Sequence, residues 1–466
     1  MIISALQAIS KPLFGDFERE EFKKFIRMGL TFTFILGAYW VIRSLKNSIF
    51  CQLVGASYLP YAKTVSLLVL IPVVMLYTKI LDYYTREKAF YRISLFYGIS
   101  TLLFSVLLVN STFGLAAKDV VAARTGLALW ATQILGYVWY VFVESYGSLV
   151  IALFWAIASD TTLPESAKKG FSLVVALGQV GAILGPKYIT QLPRVLGLQT
   201  SAIAVAVSSA MIFATLWCLN YFLTKTPKEL LVSFKGKNEA AVESEQEPGL
   251  FEGLQLLLQQ KYLLGIFSVS FFFEFIVTVF DFHFQTLAAS TYSGHEYTEY
   301  IGYYSSCVNT VALACLLLGV SNITRYLGLT VALCMMPVIV GGAVLGFTSF
   351  NSLQFLFWLM AGSKAINYAL NGPALKQLYI PTSHDARFKA QAWIETFGSR
   401  ASKEGGSIFN MLYGPLVTKH GVDAGRAMHV ALSSYVGYFF VFTWFFVALF
   451  LGKTFKKAVD EKRVVC

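Results

Sequence analysis

The chain has 466 residues, of which 56% are hydrophobic and only 14% charged, and its mean hydropathy is +0.62. That composition excludes an ordinary soluble domain and points to an all-α polytopic membrane protein. The net charge of +11 does not indicate a nucleic-acid partner, because the basic residues are scattered through short loops and tails with no basic domain to hold a duplex.

In chain order, the first 27 residues mix Glu18, Glu20 and Glu21 with Lys23, Lys24 and Arg27 and show no signal-peptide cleavage site, so the first span is expected to stay in the protein. Apolar stretches of about 20 residues, enough to cross about 30 Å of hydrocarbon, lie near 28–48, 60–81, 89–110, 126–158, 170–192 and 200–223. A polar stretch follows, with Lys235, Lys237, Glu239, Glu243, Glu245, Glu247 and Pro248, and reads as a surface linker. Six further spans lie near 262–288, 298–320, 326–348, 352–376, 390–416 and 427–452. The expected organisation is a tail at 1–27, a six-helix half at 28–224, a linker at 225–261, a second six-helix half at 262–452 and a tail at 453–466. Lys and Arg gather on the tails and on the loops after spans two, four, six and ten, including Arg86, Lys88, Lys168, Lys169, Lys225, Lys228, Arg387 and Lys389. By the positive-inside rule both termini and the linker are expected in the cytoplasm.

The segment Asp82-Tyr83-Tyr84-Thr85-Arg86-Glu87-Lys88 resembles the acidic-then-basic loop joining helices two and three of major facilitators, and Ser321-Asn322-Ile323-Thr324-Arg325 is a weaker counterpart in the second half. The resemblance implies a six-plus-six arrangement of about twelve helices with substrate near the midplane, and spans one, four, seven and ten lining a central cavity. The deep charges fall largely on those spans: Arg43 and Lys46 on one, Glu144 on four, Glu274 and Asp281 on seven, Lys364 on ten. Span eleven adds Glu395, Arg400, Lys403 and Glu404, whereas Lys63, Lys79, Arg92, Lys187 and Glu299 lie near span ends where they can snorkel.

A charge at bilayer depth costs roughly 2.5–3.5 kcal/mol on insertion scales, so it persists only against an interior, a counter-ion or a ligand. Arg43 with Lys46, and Arg400 with Lys403, are three residues apart and share a helix face. Two such faces fit a polyanionic ligand; the alternative is that Glu144, Glu395 or Glu404 neutralises them. Glu144 is the only charged side chain from Thr125 to Ser159. Paired with Lys46 it is a counter-ion or gate; unpaired it can carry a proton. Asp281 and His283, near the end of span seven, read as residues of the outer interface. Tyr39, Trp40, Trp139, Tyr140 and Trp393 flank the charges and either pack or stack on a ligand ring. Gly178, Gly181 and Gly185 on span five, and Gly405 and Gly406 after Lys403, allow close helix approach. The six cysteines show no CxxC pair or zinc spacing, and no metal or cofactor is expected. No GxxxxGK[ST], GxGxxG or HExxH motif indicates an enzyme, so transport would run on a gradient or on exchange.

At these residues the chain resembles the ATP/ADP translocase family of intracellular bacteria and plastids, from about Phe17 to Phe450. Val41-Ile42-Arg43-Ser44-Leu45-Lys46-Asn47 is similar to the family's I-L-R-D-T-K-D, which puts Lys46 on a substrate-important lysine; Ser44 and Asn47 stand where the family has acids. Glu144-Ser145-Tyr146-Gly147-Ser148 resembles E-L-W-G-S with its transport glutamate, and Ser402-Lys403-Glu404-Gly405-Gly406 resembles G-K-S-G-G with a second important lysine. Lys364-Ala365-Ile366-Asn367-Tyr368 is similar to K-S-A-K-Y, the following F-D-P is Asn371-Gly372-Pro373, and the family's seventh-helix glutamate aligns with Thr278, one turn after Glu274. The resemblance implies a nucleotide transporter; taken with the charges on the spans, the expectation is a carrier of a bacterial inner membrane, acting as a monomer by alternating access, with Lys46, Arg43, Glu144, Arg400, Lys403, Glu274, Lys364 and Asn47 as substrate-binding residues. ATP/ADP-type exchange or import of a related nucleotide is expected. The alternatives are a proton-coupled carrier of a nucleotide, NAD or another organic anion, and, further off, a membrane receptor or a lipid-phosphate enzyme.

Overall fold

The computed structural model describes residues 17–231, 250–318, 326–350, 352–383 and 390–465, and among them it holds helices and no strands. The polar stretch from Lys235 to Pro248, the loop 321–325 and the cations Arg387 and Lys389 lie outside the described residues, as do positions 1–16.

The first six long helices are α1 (Arg19–Leu53), α2 (Leu59–Tyr83), α3 (Arg86–Leu108), α4 (Gly126–Asp160), α5 (Pro164–Ile189) and α6 (Ala202–Lys225). After a short helix, Leu250–Gln259, come α7 (Lys261–Thr291), α8 (Gly294–Leu317) and α9 (Leu329–Ser349). The run called α10 here joins Leu353–Ile366, a π-helical turn Asn367–Asn371, and Gly372–Leu378. Likewise α11 joins Gln391–Trp393, a π-helical turn Ile394–Gly398, and Ser399–Asn410, before the short helix Tyr413–His420 and α12 (Val422–Asp460).

Among the described residues nine helices are long and apolar enough to cross a membrane: α1 to α7, α9 and α12. The three other runs complete the twelve expected, and each departs for a visible reason. Buried Thr298, Ser305, Ser306 and Asn309 make α8 too polar for an unsupported span. The π turns interrupt α10 and α11. In α10 the cause is in the sequence: Pro373 has no backbone N–H to donate, and a widened turn before it accommodates the gap. Several helices outrun the apolar stretch that predicts them. The 39 residues of α12 extend about 58 Å at 1.5 Å per residue, nearly twice the hydrocarbon thickness, so its ends stand in water or headgroups.

The chain divides into two compact units. One comprises Met1–Ala56, Leu68–Lys237 and Thr291–Asn309; the other comprises Ser57–Leu67, Asn238–Ser290 and Thr310–Cys466.

In the first unit α1 is held at both its foot and its middle. Lys24 Nζ, 3% exposed, donates to the carbonyl oxygens of Thr161 at 2.6 Å and Leu230 at 2.9 Å, and Arg27 donates to the carbonyl oxygen of Lys225 at 2.7 Å. These cations satisfy carbonyls at the C-terminal ends of α4 and α6 and in the short 3₁₀ turn Lys228–Leu230 that follows α6. Higher up, α1 packs on α5 through glycine: a Cβ at Gly181 would stand 2.0 Å from the Thr33 carbonyl oxygen. Thr33 Oγ1 donates to the Leu177 carbonyl at 2.9 Å across the same contact. This is the close approach expected of the span-five glycines. The first turns of α8 belong to this unit through hydroxyl contacts, Ser305 Oγ to Ser44 Oγ at 2.8 Å and Thr298 Oγ1 to Ser48 Oγ at 3.1 Å.

Candidate functional site

The first unit gathers its charged site on α1 and α4. Lys46 and Glu144 form an ion pair. The lysine side chain is 8% exposed and the glutamate 38%, so the cation is enclosed while its partner reaches toward open space. Lys46 Nζ also sits 4.3 Å from the Tyr140 ring centroid, which supplies the negative face of a π system. Trp139, fully buried, donates its indole N–H to the Leu45 carbonyl at 3.4 Å and so fixes α4 against α1 at this level. One turn before Lys46, the Arg43 guanidinium lies 4.8 Å from the Trp40 ring and donates to Tyr39 Oη at 2.9 Å. Tyr39 reaches that position because residue 147 is glycine: a Cβ there would stand 2.3 Å from Tyr39 Cε2. Asn47, also on α1, carries a buried Oδ1 with no hydrogen-bond partner.

The second unit builds its site on α7, α10 and α11. Lys403 Nζ lies 3.6 Å from Glu274 Oε1, and Ser399 Oγ donates to the same carboxylate at 3.4 Å. Lys403 is 52% exposed and Glu274 23%, so this pair is wetter than that of Lys46. Arg400 is partly exposed on the same helix. Close packing of α11 on α7 sets the pair's spacing: a Cβ at Gly406 would meet Thr278 Cβ at 2.9 Å, and Asn410 Nδ2 donates to the Thr278 carbonyl at 3.2 Å. Glu404 accepts from Thr64, and Glu395 accepts from Gln391 Nε2 at 2.8 Å.

Lys364 belongs to a different arrangement. Its Nζ is 2.5 Å from Asp281 Oδ1, and both side chains are largely enclosed, at 19% and 15% exposure. Asp281 and His283 lie two turns or more before the C-terminal end of α7 at Thr291. His283 Nε2 is 3.0 Å from both His429 Nδ1 and Ser433 Oγ, and all three side chains are buried. Sequence reasoning missed the contacts of Tyr39 with Gly147, Asp281 with Lys364 and His283 with His429. Each joins residues that no local spacing relates. The one available signal was the run of polar residues along otherwise apolar α7.

The described helices, nine of them long and apolar enough to cross a membrane and several joined by enclosed ion pairs, are those of a multi-pass membrane protein. The nucleoside transporter NupG, in the form of a point mutant, shares the fold with a TM-score of 0.61 at 13% identity, over 91% of this chain and 99% of that one. A bacterial homologue of the iron transporter ferroportin in an inward-facing state matches with a TM-score of 0.59 at 13% identity, over 91% of this chain and 98% of its own. Residues 4–356 match the TLC ATP/ADP transporter family, and the chain belongs to that family. The ADP,ATP carrier protein 1 of Rickettsia bellii is 26% identical over 453 residues, covering 88% of this chain and 89% of that protein. The chloroplastic ADP,ATP carrier protein 1 of Arabidopsis thaliana is 26% identical over 450 residues, covering 87% and 70%.

Proposed function

We propose that this protein exchanges nucleotides of the ATP/ADP type across a membrane by alternating access. Lys46, with Arg43 beside it, and Lys403, with Arg400, contact the phosphates. The observation that carries this reading is that each of the two motif lysines is held by a carboxylate water can reach: Glu144 for Lys46 and Glu274 for Lys403. Such a counter-ion keeps the cation tolerable when no substrate is bound and yields to a di- or triphosphate, which carries more negative charge and more acceptor oxygens. Asn47 Oδ1 is a buried acceptor that a donor on the substrate can satisfy. We assign Lys364, already neutralised by Asp281, to holding α7 on α10 rather than to the substrate.

The paired state of Glu144 and Glu274 favours counter-ion over proton carrier, and hence exchange over proton symport. The division into halves at 28–224 and 262–452, cytoplasmic termini, a bacterial inner membrane and action as a monomer complete the reading. The test is uptake of labelled ATP into vesicles carrying the purified protein. Preloading with ADP should accelerate uptake at least tenfold over empty vesicles, with an imposed proton gradient adding little. Fast uptake into empty vesicles driven by external acid would replace exchange with symport.

A further inference from the structure

The second unit contains a cavity of about 230 Å³ that the phosphate assignment leaves unused. Glu274 of α7, Asn367, Asn371 and Lys376 of α10, and Glu395 and Ser399 of α11 line it. Both π-helical turns, Asn367–Asn371 and Ile394–Gly398, contribute to its wall. A π turn widens the helix and is found disproportionately at functional sites. Two on one cavity wall are a large departure from regular helix in one place.

The polar chemistry of the wall is specific. Asn371 is 2% exposed, and its Nδ2 donates to Asn367 Oδ1 at 2.8 Å. Its own Oδ1 is buried and has no hydrogen-bond partner. A buried acceptor left unpaired costs stability, so its retention calls for a donor that arrives with a ligand. The carboxylates of Glu274 and Glu395 add acceptors, and Lys376 adds a donor. A metal cation is disfavoured by Lys376 in the wall and by Lys403 Nζ 3.6 Å from Glu274. Among the described residues no group of three or more histidine, cysteine or acidic side chains is arranged to hold a metal. An anion is disfavoured by the two glutamates. A neutral group that donates and accepts hydrogen bonds along one edge fits all of these charges.

The cavity also lies where one end of a nucleotide would reach. Ser399, on its wall, donates to Glu274, and Lys403 stands one helical turn beyond Ser399. Its volume of about 230 Å³ gives room for the edge of a planar heterocycle. We propose that this cavity holds the amino-bearing edge of the nucleobase, with Asn371 Oδ1 accepting from the exocyclic amino group and Glu395 as a second acceptor. The assignment rests on the nucleotide reading of the preceding section.

The test is competition against labelled ATP uptake in vesicles carrying the full-length protein, comparing unlabelled ATP with purine riboside triphosphate, which lacks the amino group, and with inosine triphosphate, which carries an oxo group in its place. The wild type should prefer ATP over both at least tenfold. Asn371→Leu should reduce the preference to about twofold or less while ATP still competes better than adenosine. Glu395→Leu, at an exposed position, should reduce the preference at least threefold, and it decides the matter if Asn371→Leu does not fold. A wild type indifferent to the amino group, or variants that keep the full preference, would overturn the base site while leaving nucleotide transport standing. Failure of every nucleotide to compete would instead remove the nucleotide reading and the base site with it.

Discussion

In the first unit Lys46 and Glu144 face each other from α1 and α4, two uninterrupted helices of 35 residues each, with the lysine 8% exposed against a tyrosine ring. In the second unit Lys403 meets Glu274 from α11, a helix that changes to π geometry just before the site, and the lysine is 52% exposed. The same charge chemistry therefore sits on two kinds of backbone. Continuous helices packed through Trp139 set one ion pair and leave little slack. The π turns of α10 and α11 open a cavity beside the other pair and provide positions where the helix can readjust, as switching elements require. The first site is expected to be costly to disturb and the second tolerant, with its changes appearing in binding rather than in stability.

The largest effect should come from Glu144→Gln. It leaves an enclosed lysine without its carboxylate, a loss of about 3 kcal/mol, the low end for a broken buried pair because Glu144 itself is partly exposed. Thermal unfolding in detergent should show a clear fall in Tm, partly reversed by added ATP. A variant as stable as wild type would mean that the first site is not the rigid one.

Lys403→Ala sharpens the contrast. Loss of a charge-assisted contact worth roughly 1.5–3 kcal/mol should weaken ATP binding about tenfold or more. Its Tm should stay near wild type, because the lysine is half in solvent. A drop in Tm matching that of Glu144→Gln would erase the difference between the two sites.

Gly147→Ala tests how Arg43 is positioned. The added methyl group would overlap Tyr39 at 2.3 Å and displace the ring that accepts from Arg43. Overpacking of this kind costs about 1–3 kcal/mol. The concentration for half-maximal uptake should rise severalfold, and unchanged uptake would remove Arg43 from the site.

The smallest effect is expected from the double variant Asp281→Leu with Lys364→Met. Replacing both members of an enclosed pair by apolar groups is often neutral, so nucleotide affinity should change less than about twofold. A tenfold loss would return Lys364 to the substrate.

Much of this organisation was legible in the amino-acid order, because a bilayer demands long apolar runs and most of the spans are such runs. Helix ends were not. α1 begins at Arg19 rather than near 28, since a helix stays hydrogen-bonded past the point where its side chains turn polar. The pairing of Lys46 with Glu144 was among the readings open from sequence, because a lone acid in an apolar helix needs a partner. The pairing of Lys364 with Asp281 was not, since nothing local relates positions 83 residues apart. The π turn of α10 left a trace in Gly372-Pro373, whereas that of α11 left none. The cavity they border depends on both, so it could not be read from either alone.

The central claim is that lysines on both units bind phosphate, and it is tested most directly by counting phosphates. In vesicles, ATP, ADP, AMP and adenosine should compete with labelled ATP in descending order, with at least tenfold between ATP and adenosine in the wild type. The order should flatten in Lys46→Ala with Lys403→Ala. Equal competition by adenosine in the wild type, or an unchanged order in the double variant, would contradict the account.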